Sequence, residues 1–333
     1  MAKSLRPQTL DEMIGQEAVK QKARIAIGAA MQRGEPLPHV LQTSSGGGLG
    51  KTCFARILAN EMFSPLVETS GPCVASVADL RRILVQLEPG SLLHIDEAHA
   101  IGRPAAEELL LVLEEGVLNL KLDGTALRLP LPRFTLVCST TKPSSIGAPL
   151  RQRFGLHFHF EFYPSEELTL IARRMSEALR MPFADGVCEA IAERGLGIPR
   201  LCLRLAERVR DVTQARNKTT ATMTEFEIAM GMEGIDPKGL GPQHRHLLSC
   251  LASARRPLSA RSLALALGAE LSTVTDVLEP PLVRLGLMMV GPGGRLITDP
   301  GRRHLQRAMS EHSANISSAL GVLSGSIEDE TQR

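Results

Sequence analysis

The chain has 333 residues, 43% of them hydrophobic and 22% charged, with a formal net charge of +2. That balance belongs to a globular protein with room for two or three ordinary cores, not to a disordered or collagen-like chain. So small a net charge makes no global demand for an acidic partner, and six scattered cysteines without a C-x-x-C pair argue against a disulfide framework or a zinc site and fit a reducing compartment.

The N-terminal MAKSLRPQTLDEMIGQ lacks an apolar core of signal-peptide length, and no stretch approaches a membrane span, which predicts a cytoplasmic protein. Residues 15–34 carry apolar residues at helical spacing, with Gly34 as the stop. Strand-like runs follow at 39–43 (HVLQT), 91–95 (SLLHI) and 134–139 (FTLVCS), with helical patterns at 51–62 and 104–115 between them. Strands alternating with helices predict an α/β fold whose parallel sheet is covered on both faces. The second of these helices opens on Pro104, suited to a first turn, and closes before Gly116.

After Tyr163-Pro164-Ser165 the pattern is helical through residue 233, and the Gly/Pro cluster GIDPKGLGP at 234–242 marks a boundary. Three short helical patterns follow, then the apolar strips LMMV and RLIT joined by GPGG. Helices followed by a glycine-tipped hairpin predict a winged helix. Residues 238–307 hold ten Lys and Arg against four acids, a basic excess that suits nucleic acid and equally a solvated face. Arg302-Arg303-His304 reads either way too, as a DNA contact or a solvated helix end. The serine-rich end predicts a disordered tail over 308–333. The domains expected are therefore 1–160, 161–236 and 237–307, followed by that tail.

Four segments carry chemistry. QTSSGGGLGKT at 42–52 nearly matches G-x-x-x-x-G-K-[ST], with Gly50, Lys51 and Thr52 in place but Ser45 where the first glycine belongs. A strand before it and a helix after it are the setting a phosphate cradle needs: backbone N–H groups around the phosphates, a lysine on them and a hydroxyl on magnesium. A flexible linker would not put Gly-Lys-Thr at a strand-to-helix junction. In LLHIDEAH at 92–99, Asp96 and Glu97 end a buried strand, where Asp96 can hold Mg²⁺ and Glu97 can orient the attacking water. The same string occurs in DEAH-box helicases, but those need a second nucleotide-facing domain, and nothing after residue 160 reads as one. His94 and His99 flank these acids at a spacing that does not make a ligand pair. In CSTTKP, either Thr140 or Thr141 can sense a γ-phosphate. In RQRFG, Arg153 follows a proline-bearing loop and precedes a new strand, and is a candidate finger for a neighbouring subunit's γ-phosphate, or an ordinary solvated arginine.

In order along the chain, LRPQTLDEMIGQE, GLGKT, TSGP, HIDEAH, FTLVCSTTK, PLRQRFG, FEFYPSEEL and GIPRLCLRLAERVRD closely resemble the RuvB family, the AAA+ motors of Holliday-junction branch migration. The resemblance runs from about residue 5 to residue 307. It implies a RecA-like AAA+ P-loop domain with a parallel sheet, an α-helical lid and a C-terminal winged helix. It implies an ATP hydrolase that uses Mg²⁺ and drives branch migration in recombination and repair. The partners implied are duplex DNA or a Holliday junction, further copies of the chain in a hexameric ring, and the junction-binding protein RuvA, all at the bacterial nucleoid.

Carried over by position, Leu5 and Arg6 line the adenine pocket opposite Tyr163. Gly48, Lys51 and Thr52 hold phosphates and magnesium, with Cys53 beside them where a second hydroxyl is usual. Asp96 and Glu97 form the Walker B pair, Thr140 or Thr141 is sensor 1, Arg153 acts in trans, and Arg200 is sensor 2. Arg295 is the DNA-contacting arginine that the wing keeps.

The departures bear on function. Gly46-Gly47 stand where the family has Pro-Pro, leaving the loop less preorganised. The segment between Glu114 and Phe134, where the family's hairpin grips RuvA, is shorter than usual, which puts that docking in question. Val290 and Gly293 replace wing arginines. Two further readings compete with the motor: a RuvB-derived scaffold or regulatory subunit that holds nucleotide and hydrolyses it weakly, and a clamp-loader-like ATPase that remodels proteins.

Overall fold

A computed structural model of the chain describes residues 6–122 and 125–308. Leu5 and all but the first residue of the expected tail lie outside the described residues. The chain forms two compact units, divided between Thr222 and Met223.

In the first unit, α1 (Glu17–Arg33) ends on Gly34, whose φ of 63° lets its N–H reach the carbonyls of Ala30 and Met31. β1 (Val40–Ser44) runs into the glycine loop and α2 (Lys51–Glu61), and β2 (Leu66–Ser70) follows. α3 (Val77–Leu84) starts at a capping box between Ser76 and Asp79. β3 (Leu92–Asp96) leads to α4 (Arg103–Glu115), which has Pro104 in its first turn and left-handed Gly116 at its end, as the sequence predicts. A hairpin of β4 (Val117–Leu122) and β5 (Thr125–Pro130) comes next, then β6 (Thr135–Thr140), the short α5 (Ala148–Gln152) and β7 (Leu156–Phe160).

β1, β2, β3, β6 and β7 form one parallel sheet in the order β2-β3-β6-β1-β7. Three of the five were expected as strands from apolar runs, and β7 as the strand after Arg153. β2 reads LVETS, and as an edge strand with no fully buried residue it leaves no apolar run to find. One core cluster joins sheet and helices through Leu41, Leu80, Leu93, Leu109 and Leu136, and buried Leu118 carries the hairpin's base into it. The hairpin is also tied by Arg81, which donates to the Asn119 carbonyl at 2.7 Å.

The helices α6 (Ser165–Ala178), α7 (Val187–Arg194) and α8 (Pro199–Ala215) complete this unit. Among the described residues no helix is long and apolar enough to cross a membrane.

The second unit opens with α9 (Met223–Glu233), so the compact division falls one helix before the Gly/Pro cluster. That cluster is not a loose linker. Asp236 accepts from the Lys238 and Leu240 N–H groups at 2.9 and 3.0 Å, and His304 Nε2 lies 2.9 Å from its other oxygen. Arg245 donates to the Leu240 and Gly234 carbonyls. Burial favours the neutral form of Asp236, but the bonds from His304, Leu240 and Lys238 outweigh it and hold the carboxyl below its usual range. His304 therefore faces inward, whereas Arg302 and Arg303 are exposed.

The winged helix is α10 (Pro242–Ser253), α11 (Ala260–Leu267), a π-helical stretch (Thr273–Leu278) continuing as α12 (Glu279–Arg284), and the wing strands β8 (Met288–Gly291) and β9 (Gly294–Ile297). Pro280 and Pro281 lack the N–H groups that would bond back one turn, which accounts for the widened turn before them.

Candidate nucleotide site

In open parallel sheets ligands bind beyond the carboxyl ends of the strands. Here the residues that follow β1, β3 and β6 line a single cavity of about 550 Å³ within the first unit. The first turn of α2 opens onto it with Gly50 as N-cap at φ 104°. Its N–H groups lack helical partners and form a natural anion site.

Within the loop only Gly48 and Gly50 have positive φ. Ser45, Gly46 and Gly47 therefore keep backbone angles open to any L-residue, and the serine is no obstacle to the path of the loop. Gly48 is different. A Cβ there would stand 2.8 Å from the Cβ of Arg200 and 3.0 Å from Ile198 Cγ2, so glycine is what lets the start of α8 close on the loop.

Lys51 is buried and donates to Ser44 Oγ and, at 3.4 Å, to the Gly46 carbonyl. Burial is the main cause lowering its pKa; Asp96 and Glu97 oppose it, and Arg200 adds to it. Thr52 donates its hydroxyl to Asp96 Oδ2 at 2.7 Å. A hydroxyl from α2 and a carboxylate from β3 thus meet as the hard-oxygen pair that suits Mg²⁺. Glu97 sits in the left-handed region at φ 49°, with its N–H on Asp96 Oδ1 at 2.9 Å. For a non-glycine residue that conformation costs about 1–3 kcal/mol. The turn is pinned from the TSGP segment: a Cβ on Gly71 would lie 2.2 Å from the Glu97 carbonyl oxygen.

The two threonines separate. Thr140 is buried, with His99 Nδ1 3.0 Å from its hydroxyl oxygen, which also accepts from the Lys142 N–H at 2.9 Å. Thr141 is exposed on the cavity wall. The other Walker B histidine belongs to a buried polar ribbon that crosses four strands. His94 Nε2 lies 2.9 Å from Ser139 Oγ, and Ser139 donates to Gln42 Oε1 at 3.2 Å. On the other side His94 Nδ1 is 3.5 Å from Glu68, which Arg56 grips at 3.0 Å. Burial lowers the His94 pKa against the pull of Asp96 and Glu68, keeping the imidazole neutral. Each histidine is thus engaged by a hydroxyl of β6.

Part of the cavity wall is apolar. Met13, Ile14, Ile171, Met175 and Leu203 line it, with Arg6 and Tyr163 among them. Tyr163 is buried, which raises its hydroxyl's pKa, and its N–H reaches the Gly197 carbonyl at 2.9 Å. Cys53 points its thiol toward the Pro7 carbonyl at 3.7 Å, and burial raises its pKa, so it stays a thiol. Sequence reasoning missed Ile171 and Met175, although with Leu168 and Ala172 they follow the helical period. It also missed Arg174, for which no sequence signal exists.

Two expected residues lie elsewhere. Arg153, just after α5, pairs with Glu114 of α4 and does not line the cavity. Arg295, the wing arginine expected at DNA, makes a two-pronged ion pair with buried Glu279 at 2.8 and 3.1 Å. Its backbone also pairs with Leu258. In this structure the guanidinium braces the wing, and reaching a phosphate would require exchanging Glu279.

Family models match three consecutive segments: the Holliday junction DNA helicase RuvB P-loop domain over residues 5–160, the RuvB AAA lid domain over 163–236, and the RuvB C-terminal winged helix domain over 237–306. The chain belongs to the RuvB family. It is 39% identical over 311 residues to the Holliday junction branch migration complex subunit RuvB of Kosmotoga olearia, covering 92% of this chain and 91% of that one. The RuvB of Thermotoga maritima is 36% identical over 318 residues, 92% of this chain and 94% of its own. A solved structure of the T. maritima RuvB Holliday junction branch migration motor superposes with a TM-score of 0.83, covering 91% of this chain and 98% of that one at 36% identity. The P-loop, lid and winged-helix assignments expected from sequence agree with all three.

Proposed function

We propose that this chain is an ATP-hydrolysing DNA motor of RuvB type that drives Holliday-junction branch migration. The observation that carries the reading is the Thr52–Asp96 contact at 2.7 Å, with buried Lys51 behind it and Glu97 next in sequence. The fit to a nucleotide rests on three features: a loop glycine whose Cβ would strike Arg200, an N-terminal helix turn lining the cavity, and a partly apolar wall. Mg²⁺ bound by Thr52 and Asp96 would neutralise charge developing on the phosphates. Lys51 would hold those phosphates, Glu97 would orient the attacking water, Thr141 would meet the γ-phosphate, and Arg200 would bring the lid to bear on it. Arg153, outside its own cavity and half-exposed, suits a neighbouring subunit's nucleotide, which supports a ring. A RuvA-type protein is the partner proposed for the β4–β5 hairpin, and the bacterial cytoplasm the compartment.

The test is ATP hydrolysis by the purified protein, with and without four-way-junction and linear duplex DNA, beside Lys51→Ala and Arg153→Ala. Turnover that rises with DNA and falls roughly 10³-fold or more in Arg153→Ala is expected for a ring with fingers in trans. Nucleotide binding without turnover would make the chain a scaffold subunit. Turnover indifferent to DNA would favour a protein-directed ATPase.

A further inference from the structure

The cavity wall is chemically mixed. Lys51, Asp96 and Glu97 line it, and so do Met13, Ile14, Ile171 and Met175. Apolar walls have nothing to offer a phosphate, so they suit the nucleoside. Arg174 of α6 lines the cavity beside Ile171 and Met175 of the same helix.

Its guanidinium is only partly engaged. One Nη donates to the Glu12 carbonyl at 2.7 Å and the other to Glu12 Oε2 at 3.2 Å. Glu12 is itself fixed, because Oε2 also accepts the Gln8 N–H at 2.8 Å. The third donor, Nε–H, is buried and has no acceptor among the described residues. A buried donor without a partner is costly and uncommon in a settled fold. Here Glu12 holds the planar guanidinium by two of its corners, which fixes the orientation of the third, and the residue itself lines the cavity.

We infer that Arg174 is a nucleotide-contacting specificity residue, whose Nε–H donates to a neutral acceptor of the nucleoside, a ribose oxygen or a base nitrogen. Glu12 is the positioning residue that orients it. Through this contact the lid helix α6 senses the nucleoside, while Arg200 at the start of α8 stands at the phosphate loop. The inference rests on the nucleotide-site reading above.

The experiment measures equilibrium binding of ATP, 2′-deoxy-ATP and inorganic tripolyphosphate, each with Mg²⁺, to the full chain and to Arg174→Met, Arg174→Lys and Glu12→Gln. Thermal melting without ligand checks that each variant folds. ATP affinity should fall roughly tenfold to a hundredfold in Arg174→Met while tripolyphosphate affinity stays unchanged. Arg174→Lys should lose as much, because an ammonium cannot keep two prongs on Glu12 and present a third. Glu12→Gln should fall in between. An equal loss for ATP and 2′-deoxy-ATP assigns the acceptor to the base or to a ribose oxygen other than the 2′-hydroxyl. A loss confined to ATP assigns it to the 2′-hydroxyl. Unchanged ATP affinity in both Arg174 variants, or an equal loss for tripolyphosphate, would overturn the inference. A wild-type chain that binds none of the three ligands would instead overturn the nucleotide-site reading itself.

Discussion

Gly47 and Gly48 are neighbours with opposite obligations. Gly47 has an ordinary φ, and a Cβ there would meet nothing within 4 Å. Gly48 has φ 81° and a Cβ position already claimed by Arg200 and Ile198. Gly47→Ala should therefore stabilise the protein by about 0.4–1 kcal/mol, by narrowing the unfolded ensemble, and leave nucleotide affinity intact. Gly48→Ala should destabilise it and weaken nucleotide binding, since α8 can no longer close on the loop. Thermal melting and nucleotide titration of the two variants check this, and equal behaviour would contradict it. The motif at 42–52 was legible residue by residue except on this point: sequence flags the missing glycine at Ser45, but only the backbone angles reveal that the position does not require one. Likewise CSTTKP offers two threonines on equal terms, and in the structure both line the cavity, Thr140 buried against His99 and Thr141 exposed.

Elements with strong local signals were read closely. Helix α4 starts and stops where Pro104 and Gly116 put it, and α1 stops at Gly34. The winged helix followed from its hairpin strips. β2 was not legible because its edge position leaves no apolar run, and α3 was missed although Ser76 and Asp79 spell its cap. The lid and winged-helix family models meet at 236–237, inside the cluster at 234–242; what the sequence does not show is that the cluster is held rigid, because the lock on Asp236 comes from His304, 68 positions along the chain. Asp236→Ala should then cost the second unit roughly 3–5 kcal/mol, as expected when a buried charge network loses its anion. Denaturant unfolding and limited proteolysis across 234–241 would detect it. A variant as resistant as the wild type would mean that the Gly/Pro cluster holds its shape without the carboxylate.

At the scale of the whole molecule, among the described residues one buried histidine and two half-buried ones contribute to the response to acid. His39 and His94 lie in the first unit and His244 in the second, and burial lowers each below the ordinary 6.5. A lowered value means that the unfolded chain takes up protons first. The stability these residues contribute is present above about pH 6.5 and is lost as pH falls toward their folded values. Melting temperature should drop between about pH 7.5 and pH 5.5, and His94→Gln should flatten that slope; a flat profile in the wild type would refute it. Of the three, His94 reaches furthest, because it lies midway in the ribbon Gln42–Ser139–His94–Glu68–Arg56 beneath the acids of β3. Replacing buried Ser139 or His94 singly strands a polar neighbour in the sheet, whereas a matched pair of replacements need not. The strand that presents Asp96 is thus held from beneath by polar partners on both of its neighbouring strands.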